Sequence, residues 1–156
     1  MTVPELEKWI LNNYSDIVVT DTYGERSFFY NPTGLLPKGI YFTTIKENDG
    51  PNDKASHLER NGTYRISIGI GKSRYQKLFG PTPKRAPKGG VVDIDLDFTS
   101  LQTLMPHPVY AWMGWVAMNN PSKNQLKTLE KLLDIAYANV LKKFEKRKRT
   151  SQNIQK

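Results

Sequence analysis

The 156-residue chain contains no cysteine. This absence excludes disulfide bonds, thiolate zinc sites, iron–sulfur clusters and cysteine nucleophiles together. Long hydrophobic runs are also absent, because no stretch approaches the roughly 18 apolar residues that span a bilayer. Histidine occurs only at positions 57 and 107, and neither has neighbours at metal-ligand spacing. We therefore expect a cytoplasmic protein with no membrane contact and no metal or other cofactor.

The length is that of one domain, whose core at this size is stable without covalent crosslinks. The formal net charge is +8, but residues 142–156 alone contain seven lysines and arginines against one acid. The body of the protein is therefore nearly neutral. A basic balance confined to one end is typical of a solvated tail or a nonspecific anion contact. We predict a single domain over residues 1–145, followed by a basic, disordered tail over residues 146–156.

The strongest helix patterns stand at the two ends of the chain. Thr2 and Glu5 have capping-box spacing, and apolar residues then recur at helical intervals to about residue 13. Ser122 and Gln125 repeat this spacing before an apolar stripe that keeps a 3.6-residue period for about five turns. The apolar residues that we expect to pack on a sheet are Leu6, Trp9, Ile10, Leu129, Leu133 and Val140.

Between these helices, β-branched and aromatic runs bounded by turn residues predict strands. The clearest is 63–70, where isoleucines alternate with polar residues, so that one face is buried and the face with Arg65 is polar. The run 109–118 is apolar on both faces, as expected of a strand covered on both sides. Further strands are predicted over residues 17–20, 28–30 and 39–45. We predict an α+β fold with two layers, in which the terminal helices pack on a mostly antiparallel sheet of about five strands.

Two other segments lack a strand pattern. Residues 47–62 are polar and rich in turn residues, which predicts an exposed loop. Asp97 has the position of an N-cap, and a brief helix to about residue 104 would follow it. Asp93, Asp95 and Asp97 would share one face of an extended segment and could hold a hard cation. Such a run is more often the solvated side of an edge strand, so we predict no metal site.

The segment with the most candidate functional side chains begins at the Pro-His-Pro corner, residues 106–108. Its two prolines restrict the backbone around His107, and a strand after it would place Tyr110 and Trp112 on one face. One interpretation makes these aromatic residues core and gives His107 a role in holding a turn. The other makes His107, Tyr110 and Trp112 a small-molecule site, with Arg65 as an anion partner if the two strands are neighbours. In the second case His107→Ala would cost binding and leave stability nearly intact.

The run from Asp97 to Val116 resembles an uncharacterised bacterial family known only as a domain of unknown function. Its most specific part is Pro106-His107-Pro108-Val109-Tyr110, and the resemblance covers most of residues 3–145. More distantly, the order of elements and the apolar pattern over residues 129–140 are similar to the MmcQ/YjbR group. That resemblance implies an α+β fold that is sometimes described as a double-wing DNA-binding domain. It implies no catalytic residue.

Two functions follow from these features. The resemblance and the basic tail favour a nucleic-acid-contacting module, although the nearly neutral body argues against a broad phosphate surface. The aromatic segment favours the alternative, a small-molecule-binding domain. An enzyme would need a base, a nucleophile or a metal with a defined partner, and the sequence shows no such pairing. The candidate nucleic-acid contacts are Lys142, Lys143, Lys146, Arg147, Lys148 and Arg149.

Overall fold

A computed structural model describes residues 1–32, 34 and 36–154, with side chains described as far as residue 150. The fold is α+β, as the order of elements predicts. Short 3₁₀ turns occupy Ala111–Met113 and Lys123–Gln125. The helices and strands in chain order are α1 Val3–Asn13, β1 Ile17–Thr22, β2 Glu25–Tyr30, β3 Ile40–Lys46, β4 Arg65–Gly69, α2 Lys72–Phe79, β5 Met105–Pro106, β6 Trp115–Asn119 and α3 Leu126–Ile154.

The strands form one antiparallel sheet of six strands, against about five predicted, in the order β1-β2-β3-β4-β6-β5. Strand β4 lies inside the sheet, where Arg65 is paired with Lys46 of β3 and with Asn119 of β6. Both edges of β4 therefore make ladder hydrogen bonds, and its side chains project from a fixed backbone. Neighbouring strands place residues of one face side by side, which is how distant segments come to share a site.

Helices α1 and α3 pack on one face of the sheet. Both capping boxes form: the Thr2 hydroxyl accepts the Glu5 N–H at 3.2 Å, and Gln125 Oε1 accepts the Ser122 N–H at 3.0 Å. Leu6 of α1 and Leu133 of α3 are fully buried. They belong to a single hydrophobic core that also contains Ile66 of β4. The apolar helical stripes thus account for this half of the fold.

The second face of the sheet is covered as well. On this face of β4, Arg65 is fully buried and Ser67 is 1% exposed. The alternation of the strand predicted that this face is polar but not that it is buried. The cover includes the segment 47–62, in which Ser56 and Leu58 are buried. The segment is a loop, as predicted, and ten of its sixteen residues are exposed, but Ser56 and Leu58 are turned inward. Two of its polar side chains, Asp53 and Ser56, accept hydrogen bonds from Arg65 of β4.

Two predicted elements take another form. The predicted strand over 109–118 begins only at Trp115, because residues 110–114 form a 3₁₀ turn that ends at Gly114 with a φ of +84°. A Cβ at Gly114 would lie 2.3 Å from the carbonyl carbon of Gly71, so this close approach requires glycine. The predicted helix after Asp97 is a turn in which the Asp97 carboxylate accepts the Thr99 N–H at 2.9 Å.

Helix α3 continues through Ile154 and so enters the segment 146–156, for which the composition predicts disorder. The division of the chain into a domain and a tail stays a prediction. Within the described ranges, no helix combines the length and the apolar composition needed to cross a membrane.

Candidate ligand site

The covered polar face of the sheet contains a buried ion pair. Both terminal nitrogens of Arg65 donate to Asp53: Nη1 reaches Oδ1 at 3.0 Å, and Nη2 bonds to Oδ2. Nη1 also donates to the Ser56 hydroxyl at 3.0 Å. Burial alone would raise the pKa of Asp53, but the hydrogen bonds and the charge of Arg65 outweigh burial and hold it below its ordinary value. This two-pronged pair fastens the segment 47–62 to β4.

His107 lies beside this pair and is 2% exposed. Its Nδ1 accepts the backbone N–H groups of Val109 and Tyr110, each at 3.0 Å, so Nδ1 carries no proton. Burial lowers the pKa of His107 well below its usual range, and the positive charge of Arg65 lowers it further. The ring is therefore neutral at pH 7, with its proton on Nε2.

The Nε2 atom of His107 faces Nη2 of Arg65 at 3.3 Å. Both atoms then carry hydrogen, so neither supplies the other with an acceptor. Arg65 Nε and Ser67 Oγ are also buried and have no hydrogen-bond partner within the described part of the chain. Each buried donor without an acceptor costs about 1–3 kcal/mol, so folded proteins contain only a few such groups. The covered polar face around Arg65 therefore carries several hydrogen-bond donors that lack an acceptor among the described residues.

His107 also lines a cavity of about 140 Å³, which opens to solvent between aromatic walls. The Tyr41 and Trp115 rings lie 5.3 Å apart between centroids, tilted by 33°, and the His107 and Tyr110 rings lie 5.1 Å apart. Tyr41 and Tyr110 are 42% and 46% exposed, so the walls are open while the floor is buried. The residues that line the cavity are Glu25, Ser27, Tyr41, Thr44, His107, Tyr110 and Trp115.

Gly69 makes the aromatic wall possible. It is paired with Trp115 across the β4–β6 ladder, and a Cβ at Gly69 would lie 2.7 Å from Trp115 Cζ2. The indole ring therefore lies over the glycine and crosses β4 to reach Tyr41 of β3. A side chain at position 69 would push the ring away and open the wall.

The four residues predicted from the sequence do not all meet. His107 and Tyr110 line the cavity, whereas Arg65 contacts His107 without lining it. Trp112 lies in an adjoining groove, where its ring centroid is 5.0 Å from the guanidinium carbon of Arg85. Tyr110 borders both spaces. The prediction that Tyr110 and Trp112 share a strand face is wrong, because the backbone turns between them.

Most of the residues that line the cavity were not predicted from the sequence. Trp115 could have been predicted, because it follows His107 by eight residues in the same aromatic run. Ser27 and Thr44 sit at polar positions of β2 and β3 and are cross-strand partners, a weak signal for a second polar face. Asp53 lies in a loop and shows no periodicity that would identify it. The described residues hold no cluster of three His, Asp or Glu side chains suited to a metal ion.

Replacing His107 by alanine should lower the free energy of unfolding by about 1–3 kcal/mol, because the buried ring is lost and two part-buried N–H groups lose their acceptor. The burial of the ring thus argues against the nearly intact stability expected from the sequence. His107→Asn should recover part of the loss, since its carboxamide oxygen can replace Nδ1. Urea denaturation measures both, and an unchanged midpoint for His107→Ala would contradict the described contacts.

The same series tests the protonation state of His107. Because its folded pKa is depressed, the unfolded chain takes up a proton below about pH 6.5 while the folded chain does not, so stability falls as the pH drops from there. Arg65, Lys46 and Asp53 are the charged groups that act on the ring. His107→Asn should flatten the decline between about pH 6.5 and 5.

The molecule is an α+β domain with a buried arginine–aspartate pair next to an aromatic cavity. Residues 1–149 match the model of a family of unknown function, DUF6194, and the chain belongs to that family. The match spans β4, the Pro-His-Pro corner and most of α3. No curated protein and no solved structure matches the chain. The similarity to the MmcQ/YjbR group stays a prediction.

Proposed function

We propose that this domain binds a small molecule in the cavity lined by His107 and Tyr110. The observation that carries the proposal is the contrast between open aromatic walls and a buried polar floor. Ligand sites in proteins combine apolar walls with a few fixed polar groups in this way. At about 140 Å³ the cavity is smaller than the roughly 300–1,000 Å³ of drug-sized sites, so its ligand is small.

The lining indicates what kind of molecule fits. The tilted rings of Tyr41 and Trp115 favour a flat group that stacks against them. The hydroxyl groups of Ser27 and Thr44 provide hydrogen bonds, and the Thr44 hydroxyl donates to Glu25 Oε2 at 3.3 Å. Because the corner prolines and two backbone N–H groups hold His107 in place, the floor loses little entropy on binding. The ligand we propose is a small, planar, polar compound.

The experiment uses benzoate, nicotinamide and uracil as probes, with thermal denaturation and NMR shift mapping on the full chain. A probe present at 100 times its dissociation constant should add about 2.7 kcal/mol to stability. Tyr110→Ala should remove that gain at little cost to the unliganded fold, since Tyr110 is 46% exposed. Tyr23→Ala, at a side chain that is 91% exposed, is the matched control. Binding that leaves the resonances of Tyr41, Tyr110 and Trp115 unmoved would overturn the proposal, as would failure of all three probes to bind.

A second candidate function is nucleic-acid contact through the end of α3. The observation in its favour is that Lys142, Lys143, Lys146, Arg147 and Arg149 are all exposed on a continuous helix. The affinity for DNA should fall steeply as the salt concentration rises. Each phosphate contact adds about −0.9 to the slope of log affinity against log salt concentration. Replacing residues 146–149 by alanine should flatten the slope for a DNA duplex. If the intact protein does not bind DNA in low salt, this candidate is wrong.

A further inference from the structure

A groove of about 600 Å³ runs between α2 and α3, on a part of the surface that the cavity of His107 does not use. Five basic side chains from the two helices line it, and no acidic residue does. All five are exposed, and among the described residues none of them has a carboxylate within 4.0 Å. The five are Lys72, Arg74, Lys77, Lys142 and Lys143.

The basic side chains of α3 continue beyond the groove in one line. Asn139 anchors this side of the helix, because its Nδ2 donates to the Ile70 carbonyl at 3.1 Å, just before α2. Lys142, Lys146 and Arg149 follow at intervals of three or four residues and so lie on the same side as Asn139. At 1.5 Å per residue, this row extends about 10 Å along the helix.

The acids of α3 do not line the groove. Asp134 accepts the hydroxyl proton of Tyr14 at 2.6 Å, toward α1. Glu145 stands three residues after Lys142 and four before Arg149, so it borders the basic row beyond the groove. The lining of the α2–α3 groove therefore keeps its positive potential, whereas Glu145 reduces the potential of the row beyond the groove.

We infer that the α2–α3 groove holds the phosphate backbone of a nucleic acid, so that α2 supplies about half of the contact. This inference rests on the second candidate function and names a surface for it. A phosphodiester backbone is a ridge of regularly repeated negative charges, which reaches lysines on both walls of a groove. An anionic bilayer is flat on this scale and would contact only the rims. Lys142, Lys146 and Arg149 on α3 then extend the contact along the nucleic acid.

The test compares two triple variants that lose the same charge. Lys72→Ala/Arg74→Ala/Lys77→Ala removes the α2 wall, and Lys8→Ala/Lys84→Ala/Lys127→Ala removes three exposed lysines that do not line the groove. Binding of a labelled 20-base-pair duplex is measured over a range of salt concentrations, with circular dichroism as a check of folding. Vesicles of phosphatidylserine and phosphatidylcholine are assayed in parallel.

We expect the α2 variant to flatten the salt dependence by up to about 2.7 in slope, as for three lost phosphate contacts, and the control to keep it. An unchanged slope in the α2 variant, with a loss on substitution of residues 146–149, would overturn the inference and leave the nucleic-acid function standing. No DNA binding by the intact protein in low salt would remove both. Groove-dependent binding of vesicles without DNA binding would make the partner a membrane and also overturn the inference.

Discussion

Replacing Arg65 by methionine should lower the free energy of unfolding by about 3–5 kcal/mol, as expected when one partner of a buried ion pair is lost. The change removes both hydrogen bonds to Asp53, whose side chain is only 14% exposed, and the bond to Ser56. It also releases the segment 47–62 from the sheet. Equilibrium unfolding in urea, with the slope compared as well as the midpoint, measures the loss.

Two variants separate the ion pair from simple volume loss. Arg65→Lys should still be clearly destabilised, because an ammonium group cannot make the two parallel bonds of a guanidinium. Arg65→Met combined with Asp53→Asn should be less destabilised than the sum of the single changes, since it leaves no unpaired carboxylate. If Arg65→Met alone costs no more than a surface substitution, about 0.5 kcal/mol, then the pair does not hold the cover on the sheet.

Leu133→Ala should destabilise the protein by about 2–5 kcal/mol. Leu133 is fully buried where α3 packs on the sheet, and truncation leaves a cavity that the rigid core fills only in part. For a domain of this size, each kcal/mol corresponds to roughly 2–4 °C in the melting temperature. Leu11→Ala, at a helical leucine that is 41% exposed, is the matched control and should change little. Equal midpoints for the two variants would contradict the packing of α3.

Local interactions explain why the helices were predictable. Thr2 with Glu5 and Ser122 with Gln125 satisfy each other's backbone groups within four residues, so sequence spacing suffices to identify the start of each helix. The alternation of β4 likewise identified its core face. The strand predicted over 109–118 shows where this reasoning ends. Its first half turns because Gly114 packs against Gly71, a contact between segments that are distant in the chain.

The candidate site depended on tertiary structure much more than the helices did. The motif indicated His107 and Tyr110, and both line the cavity. Tyr41 joins them only because β4 lies between β3 and β6 and presents Gly69 beneath the ring of Trp115. Trp112, only two residues after Tyr110, lies in the adjoining groove instead. Residues of one motif are close in sequence, whereas residues of one cavity are brought together by the pairing of the strands. The two sets of residues therefore overlap only in part.

The sequence by itself determined the class of fold and the two terminal helices, and it directed attention to the Pro-His-Pro corner. Each of these depends on spacing within one segment, through capping, periodicity or restricted proline geometry. Only the tertiary structure decided that the polar face of β4 is buried and that Arg65 meets Asp53 and His107 there. A buried charge is stable only beside a partner that can bond to it, and this partner came from a loop whose sequence carries no periodic signal.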